Sequence, residues 1–177
     1  MINTTLDFLY NLHSRGIKLG LKNIELFLEA CENPHKKIKT IHLAGTNGKG
    51  STASLLAKIL QEHGLKVGLY TSPHLVRFNE RIRINGSVIA DLEIINFVEK
   101  HKKLIKDSSV TFFETTTALA FSYFANNNVD IAIIETGLGG RLDSTNVIMP
   151  IQTIITCLLY TSDAADEGLG VDLGGRR

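Results

Sequence analysis

The sequence predicts an α/β fold, a mostly parallel sheet flanked by helices, and three observations carry that prediction. The first is the stretch Ile38 to Gly64. A short apolar run (Ile38, Ile41, Leu43, Ala44) breaks at Gly45-Thr46-Asn47-Gly48-Lys49-Gly50-Ser51, and an amphipathic stretch follows. The second is Val129 to Ile134, a nearly continuous apolar run of the kind found in strands buried on both faces. The third is alternation: strand-like runs at 67–71, 129–134 and 152–156 are separated by helix-period segments, the order that produces parallel neighbours.

The elements follow in order. Leu6, Leu9, Tyr10 and His13 outline a first short helix. Ile24, Phe27, Leu28 and Cys31 fall at i, i+3, i+4 and i+7, so Cys31 belongs to a buried stripe and reads as core rather than nucleophile. Asn33-Pro34 ends that helix, and Lys18 to Leu21 is the turn before it. After the glycine loop, Leu55, Leu56, Ile59 and Leu60 are expected on the inward stripe of a helix that Gly64 terminates. Val67 to Thr71 is a second strand. Arg81 to Ile84, the type I′ signal Asn85-Gly86, and Val88-Ile89 make a hairpin. Asp91 is expected to cap a helix with Ile94, Phe97, Val98, His101, Leu104 and Ile105 inward. Thr111 to Ala125 is another helix, burying Leu119, Ala120, Tyr123 and Phe124. Gln152 to Thr156 begins a fourth parallel strand.

Composition narrows the function classes. A chain of 177 residues is long enough to bury a core as one domain, and 44% hydrophobic with 21% charged residues is a globular balance. A net charge of +1 gives no long-range field for nucleic acid or an acidic membrane. The lysines from Lys100 to Lys106 lack the interleaved aromatics of a nucleic-acid surface. No apolar run reaches the roughly 20 residues of a membrane span. Two cysteines, Cys31 and Cys157, are too few and too far apart for a disulfide framework or metal knuckle, which suits a reducing cytoplasm.

The chemistry concentrates at strand ends. A strand, a glycine loop, a lysine, a hydroxyl and a helix, in that order, form a phosphate-binding loop. Glycines let backbone N–H groups of Thr46, Asn47, Gly48, Lys49, Gly50 and Ser51 turn inward, and the helix N-terminus adds partial positive charge. Lys49 supplies a full charge, and Ser51 or Thr52 a hydroxyl for a metal or a phosphate oxygen. The match departs from GxxxxGK[ST] at Leu43 and at Gly50; an ordinary glycine turn is the alternative. Ser72, in Thr71-Ser72-Pro73-His74, ends the second strand, where α/β sheets collect ligands, though it also suits a plain turn. Glu135 ends the buried run at 129–134. A carboxylate there is costly without a cation, which makes it a candidate metal ligand.

HLAGTNGKGSTAS, TSPHLVRFNERIRING and IIETGLGGRLDSTN, in this order, resemble the folylpolyglutamate synthase/dihydrofolate synthase family, ATP-dependent ligases of the Mur-ligase type. The resemblance covers Leu6 to Ile155 and implies an incomplete, Mur-ligase-like ATPase domain. It further implies ATP and Mg²⁺ as cofactors, Lys49 and Glu135 as catalytic residues, and Ser51, Ser72 and Glu135 as metal ligands. Leu19, Gly20, Phe78, Arg81, Phe113, Gly139, Gly140, Arg141 and Leu142 would lie on the substrate side. Folate or dihydropteroate and L-glutamate would be the small-molecule substrates of a cytoplasmic monomer, with no nucleic-acid or membrane partner.

The resemblance stops near Cys157. Residues 1–156 are expected to form part of an N-terminal ATP-binding domain, and 157–177, rich in Gly, Asp and Ala, an unstructured tail of foreign sequence. The C-terminal ligase domain of the family is absent from the sequence. Three alternatives stand beside the folate ligase: another P-loop ATPase or kinase, another Mur-type amide ligase, and a nucleotide-binding fragment without ligase activity.

Overall fold

The computed structural model describes residues 2–16 and 20–158, so residues 159–177 of the predicted tail and the candidate Leu19 lie outside the described residues. In chain order the helices are α1 (Ile2–Asn11), α2 (Lys22–Ala30), α3 (Lys49–Glu62), α4 (Asp91–Asp107) and α5 (Phe112–Asn126). The strands are β1 (Thr40–Ala44), β2 (Val67–Tyr70), β3 (Ile82–Ile84), β4 (Ser87–Val88), β5 (Ile131–Glu135) and β6 (Gln152–Ile155). They form one sheet in the order β4-β3-β2-β5-β1-β6. β2, β5, β1 and β6 run parallel; β3 and β4 are the antiparallel hairpin at one edge. Asn85 and Gly86 both have positive φ, 48° and 79°, as a type I′ turn requires.

The sheet separates two cores. On one face Ile41, Leu43, Val67, Leu69, Ile131 and Ile133 pack under α3; on the other Tyr70, Ala132 and Ile134 join the larger core of α1, α2, α4 and α5. Strict alternation along β5 sends neighbours to opposite cores, so a strand buried on both sides reads as a continuous apolar run. Gly68 is needed on the thicker side: a Cβ there would sit 2.8 Å from the Phe124 ring.

Two local expectations are corrected. α3 docks through Ala53, Leu56, Ala57 and Leu60, while Leu55 and Ile59 are 68% and 54% exposed. The true stripe starts two residues earlier, because alanine at 53 and 57 lets the helix lie close to the strands, a preference that hydrophobicity alone does not rank. Asp91 is the first residue of α4, not its cap. Ala90 holds the cap position without a side-chain bond, and the Asp91 carboxylate accepts from Asn79 Nδ2 at 2.8 Å. It still favours the helix by its charge at the positive end of the dipole.

α5 is buried almost all round and starts with a capping box. Thr111 Oγ1 accepts from the Glu114 N–H, and Glu114 Oε2 accepts from the Thr111 N–H at 2.7 Å. Arg15, in the turn after α1, donates its guanidinium protons to the carbonyls of Ile105, Ser108 and Val110, closing the end of α4. Among the described residues no helix is long and apolar enough to cross a membrane.

Candidate functional site

A glycine loop and an apolar cavity adjoin at the carboxyl ends of the parallel strands. The first is the loop between β1 and α3. Gly45 and Gly48 have φ of 142° and 80°, which residues with a Cβ adopt only under strain, and Gly48 caps α3 so that Lys49 opens its first turn. Lys49 Nζ donates to the Gly45 carbonyl at 2.5 Å and so folds back over the loop. Asn47, Gly48 and Ser51 are exposed; Lys49 and Gly50 are half-buried. The Thr46 N–H donates to the Cys157 carbonyl at 2.6 Å, and the Thr156 hydroxyl donates to the Asn47 carbonyl, also at 2.6 Å. The loop is thus laced to the end of β6.

Glu135 ends β5 beneath this loop and is 4% exposed. Its Oε2 accepts from the Ser72 N–H at 3.0 Å, and a Cβ on Gly50 would stand 3.6 Å from it, ordinary contact. Burial pushes the Glu135 carboxyl up from its usual range, while the Ser72 hydrogen bond and the Lys49 charge oppose that shift. Gly50, Ser72 and Glu135 therefore lie together, with the Lys49 charge close enough to act on the carboxylate, drawn from three segments of the chain.

Glu135 brings one carboxylate to this place, and Ser51 and Ser72, on the flanking segments, carry hydroxyls. Among the described residues no three His, Cys, Asp or Glu side chains gather as a metal cage. Hard oxygens in that small number suit Mg²⁺, which keeps several waters and takes the remaining oxygens from a bound phosphate.

Beside the loop is an apolar cavity of about 550 Å³ whose lining includes Ser72. Phe112, Phe113, Pro73, Leu138 and Leu142 give it hydrophobic walls, with His13, Arg81 and Asp143 as polar members. The Phe113 ring lies so close under Gly137 that a Cβ would stand 2.4 Å from its Cζ. Phe112 stacks on His13 with ring centres 4.1 Å apart, and the Arg81 guanidinium lies 5.3 Å from its centroid. Arg81 Nε donates to His74 Nδ1 at 2.8 Å, which puts the His74 proton on Nε2. Burial, and then the Arg81 charge, hold the His74 ring below its usual range.

Of the expected substrate-side residues, Arg81, Phe113 and Leu142 line this cavity. Phe78 does not. It is 2% exposed and packs edge-on against Phe112 and His74, supporting the wall from behind. Gly20 is half-buried at φ 118° and is not part of the lining. Gly139, Gly140 and Arg141 form the crown of the loop after β5, outside the lining, with Arg141 exposed and Gly139 at φ 65°. That crown is shaped from within by Asp143. Its Oδ2 accepts from the N–H groups of Gly137 and Leu138, and its Oδ1 from the Thr145 N–H and hydroxyl. His13, Pro73, Phe112 and Leu138 were not marked as site residues by sequence. His13 and Phe112 lie far apart in the chain and meet only through the packing of α1 on α5.

Cys31 sits elsewhere, half-buried at the end of α2, its Sγ 3.9 Å from the His101 ring nitrogens. Burial pushes its thiol up to about 12, which fits a core residue.

No protein-family model matches the chain. Among curated proteins it is similar to the dihydrofolate synthase/folylpolyglutamate synthase of Bacillus subtilis, 45% identical over 150 residues, covering 81% of this chain and 35% of that protein. Among solved structures, the folylpolyglutamate synthase of Thermotoga maritima superposes with a TM-score of 0.81 at 44% identity, over 87% of this chain and 38% of that one. The bifunctional folylpolyglutamate synthase/dihydrofolate synthase of Yersinia pestis, complexed with AMPPNP and a manganese ion, gives 0.80 at 39% identity, over 87% and 38%. The chain spans about a third of the length of the curated relatives it matches.

Proposed function

The chain belongs to the folylpolyglutamate synthase/dihydrofolate synthase family, matching the N-terminal part of its members, and on that premise we propose that it forms the nucleotide-binding part of an ATP-dependent ligase joining L-glutamate to a folate. The observation that carries the proposal is the convergence of Lys49 and Glu135 under a glycine loop. A carboxylate 4% exposed, within reach of the Lys49 charge and a few ångströms from Gly50, is placed to meet a metal–phosphate group.

In this proposal the amides of Asn47 to Ser51 and the Lys49 ammonium cradle the β- and γ-phosphates of ATP. Thr46 braces the cradle through its bond to Cys157. Ser51, Ser72 and Glu135 hold Mg²⁺. The ion, when bound, neutralises phosphate charge and favours approach of a second anion. The apolar cavity takes the pteridine end of the folate, between the Phe112 and Phe113 rings and the Leu142 side, with Arg81 as its cation. Ser72, which lines the cavity and donates its N–H to Glu135, links the two. The γ-phosphoryl passes to the folate carboxylate, ADP leaves, and the glutamate amine displaces phosphate as an amide forms and the amine proton is released. Positioning supplies the rate, since an activated acyl phosphate needs no side-chain nucleophile. Tetrahydrofolate and dihydropteroate both belong to the proposed substrate class, and the working unit is taken as a cytoplasmic monomer.

Two measurements test this. Calorimetric titration of the 177-residue chain with Mg-ATP should give saturable binding that weakens when magnesium is chelated. Glutamate addition to tetrahydrofolate should then appear in a protein of the relatives' full length carrying these residues, with ATP consumed one for one. A chain that ignores Mg-ATP would overturn the proposal.

A further inference from the structure

We propose that His42 and Thr145 are positioning residues for the apolar cavity: a buried hydrogen-bond chain runs from His42 on β1 through Thr145 to Asp143 and on to the amides of Gly137 and Leu138, and holds the cavity wall from an interior strand of the sheet. As a route to substrate affinity, this role rests on the folate reading of the cavity given above.

Each link has a direction. The Gly137 and Leu138 N–H groups donate to Asp143 Oδ2 at 2.9 and 2.8 Å, and the Thr145 N–H donates to Oδ1 at 2.9 Å. Amide donors can only give protons, so they stabilise the ionised carboxylate, and the Thr145 hydroxyl completes its set by donating to Oδ1 at 2.5 Å. Thr145 has one hydroxyl proton, and it is committed to Asp143. Its oxygen can then only accept from His42 Nε2, which lies 2.8 Å away. The imidazole is therefore the Nε2–H tautomer, and burial keeps it uncharged, holding its pKa at about 4.

The placement of His42 is hard to explain by packing. It is 5% exposed in the interior strand β1, paired with Ile134 on β5 and Thr153 on β6, where an aliphatic residue would cost less to bury. What histidine adds is a donor reaching the loop after β5. Asp143 in turn has its oxygens filled by partners within the chain, so it fixes the Gly137–Leu138 wall above Phe113. β1 is also the strand that runs directly into Gly45. One strand thus launches the phosphate loop from its end and anchors the cavity wall from its side.

The test combines hydrogen exchange with two separate titrations, of Mg-ATP and of tetrahydrofolate, on the 177-residue chain and its variants. Thr145→Val keeps the shape and removes the hydroxyl; His42→Leu removes the donor; Thr145→Ser restores the hydroxyl. Both disruptive variants should speed exchange of the Gly137 and Leu138 amides and weaken tetrahydrofolate about tenfold, the scale of one buried hydrogen bond, with Mg-ATP affinity within about twofold. Thr145→Ser should return both readouts toward the parent. Unchanged exchange at Gly137 and Leu138 would overturn the proposal. So would a uniform rise in exchange with both ligands weakened alike, since that is general loosening. Faster local exchange in a chain that never takes up tetrahydrofolate would support the positioning role and sink the folate reading alone.

Discussion

The glycine loop and the cavity are built from different materials. The loop is made of backbone, with glycines at 45 and 48 bending it and one lysine and one acid supplying charge. The cavity is made of side chains: two phenylalanine rings, a histidine stacked on one of them, and an arginine over its face. Backbone amides recognise charge with little regard to what carries it, whereas packed rings recognise a shape. Damage to the loop should therefore remove nucleotide chemistry without unfolding the chain, and damage to the cavity should cost stability and affinity together.

Lys49→Ala is the most severe test of that contrast. It removes the full charge proposed to meet the phosphates, and on that proposal the ligase rate of a protein of full length should fall about 100- to 1,000-fold, as for loss of a preorganised electrostatic group. Melting temperature should fall only slightly, because Lys49 Nζ bonds to the Gly45 carbonyl of its own loop and its charge offsets only part of the cost of burying Glu135. A large drop in thermal stability would erase the distinction between the loop and the cavity. Glu135→Gln should separate function from stability further. Mg-ATP affinity should lose its magnesium dependence while the chain becomes more heat-stable at neutral pH, because a buried acid whose pKa is raised destabilises the fold once ionised.

The cavity side should answer to acid. The folded-state pKa of His42 is about 4 against 6.5 for the unconstrained ring, so the unfolded chain takes up this proton first as pH falls. Its contribution is intact above pH 6.5 and drains away towards pH 4, by about 3 kcal/mol for a buried ring with that shift. His35, His74 and His101 are lowered as well and add to the slope; Glu135 and Asp143, both raised, work against it. Urea melts of the parent and His42→Leu at several pH values should show a shallower acid slope in the variant. Equal slopes would mean that His42 is not held neutral beneath the wall.

The same contrast explains what the sequence disclosed. A loop made of backbone must write its geometry into consecutive residues, so Gly45 to Ser51 announced itself, and Glu135 stood out as an acid closing an apolar run. The parallel strands and the hairpin followed from period and turn chemistry, with Asn85-Gly86 as the clearest case. The cavity has no such local record. His13, Arg81, Phe113 and Leu142 come from four distant segments, and Phe112 looks like plain core until α1 is placed on α5. Phe78, singled out by resemblance, proved to lie one layer behind the lining. The stripe of α3 was misplaced for a related reason: closeness of approach, set by Ala53 and Ala57, is a property of two surfaces and not of one.

Gly137→Ala probes the meeting of backbone and ring. A Cβ would stand 2.4 Å from Phe113 Cζ, so the ring must shift within a packed wall. Overpacking of this kind costs about 1–3 kcal/mol. Tetrahydrofolate affinity should fall with stability, whereas Mg-ATP affinity should stay close to that of the parent. A fall in nucleotide affinity alone would place Gly137 with the loop and not with the cavity.

Thr111→Ala gives the smallest change and the finest discrimination. Thr111 caps α5 and also lines the cavity, so truncation frees the Glu114 N–H and leaves the first turn, with Phe112 and Phe113 on it, less fixed. Loss of an N-cap side chain costs about 1 kcal/mol, visible as a lower urea midpoint with an unchanged slope. Thr111→Ser keeps the capping oxygen and should recover most of that loss. If serine restores stability but not tetrahydrofolate affinity, the Thr111 methyl itself touches the ligand; if it restores both, the cap acts by holding the two rings in place.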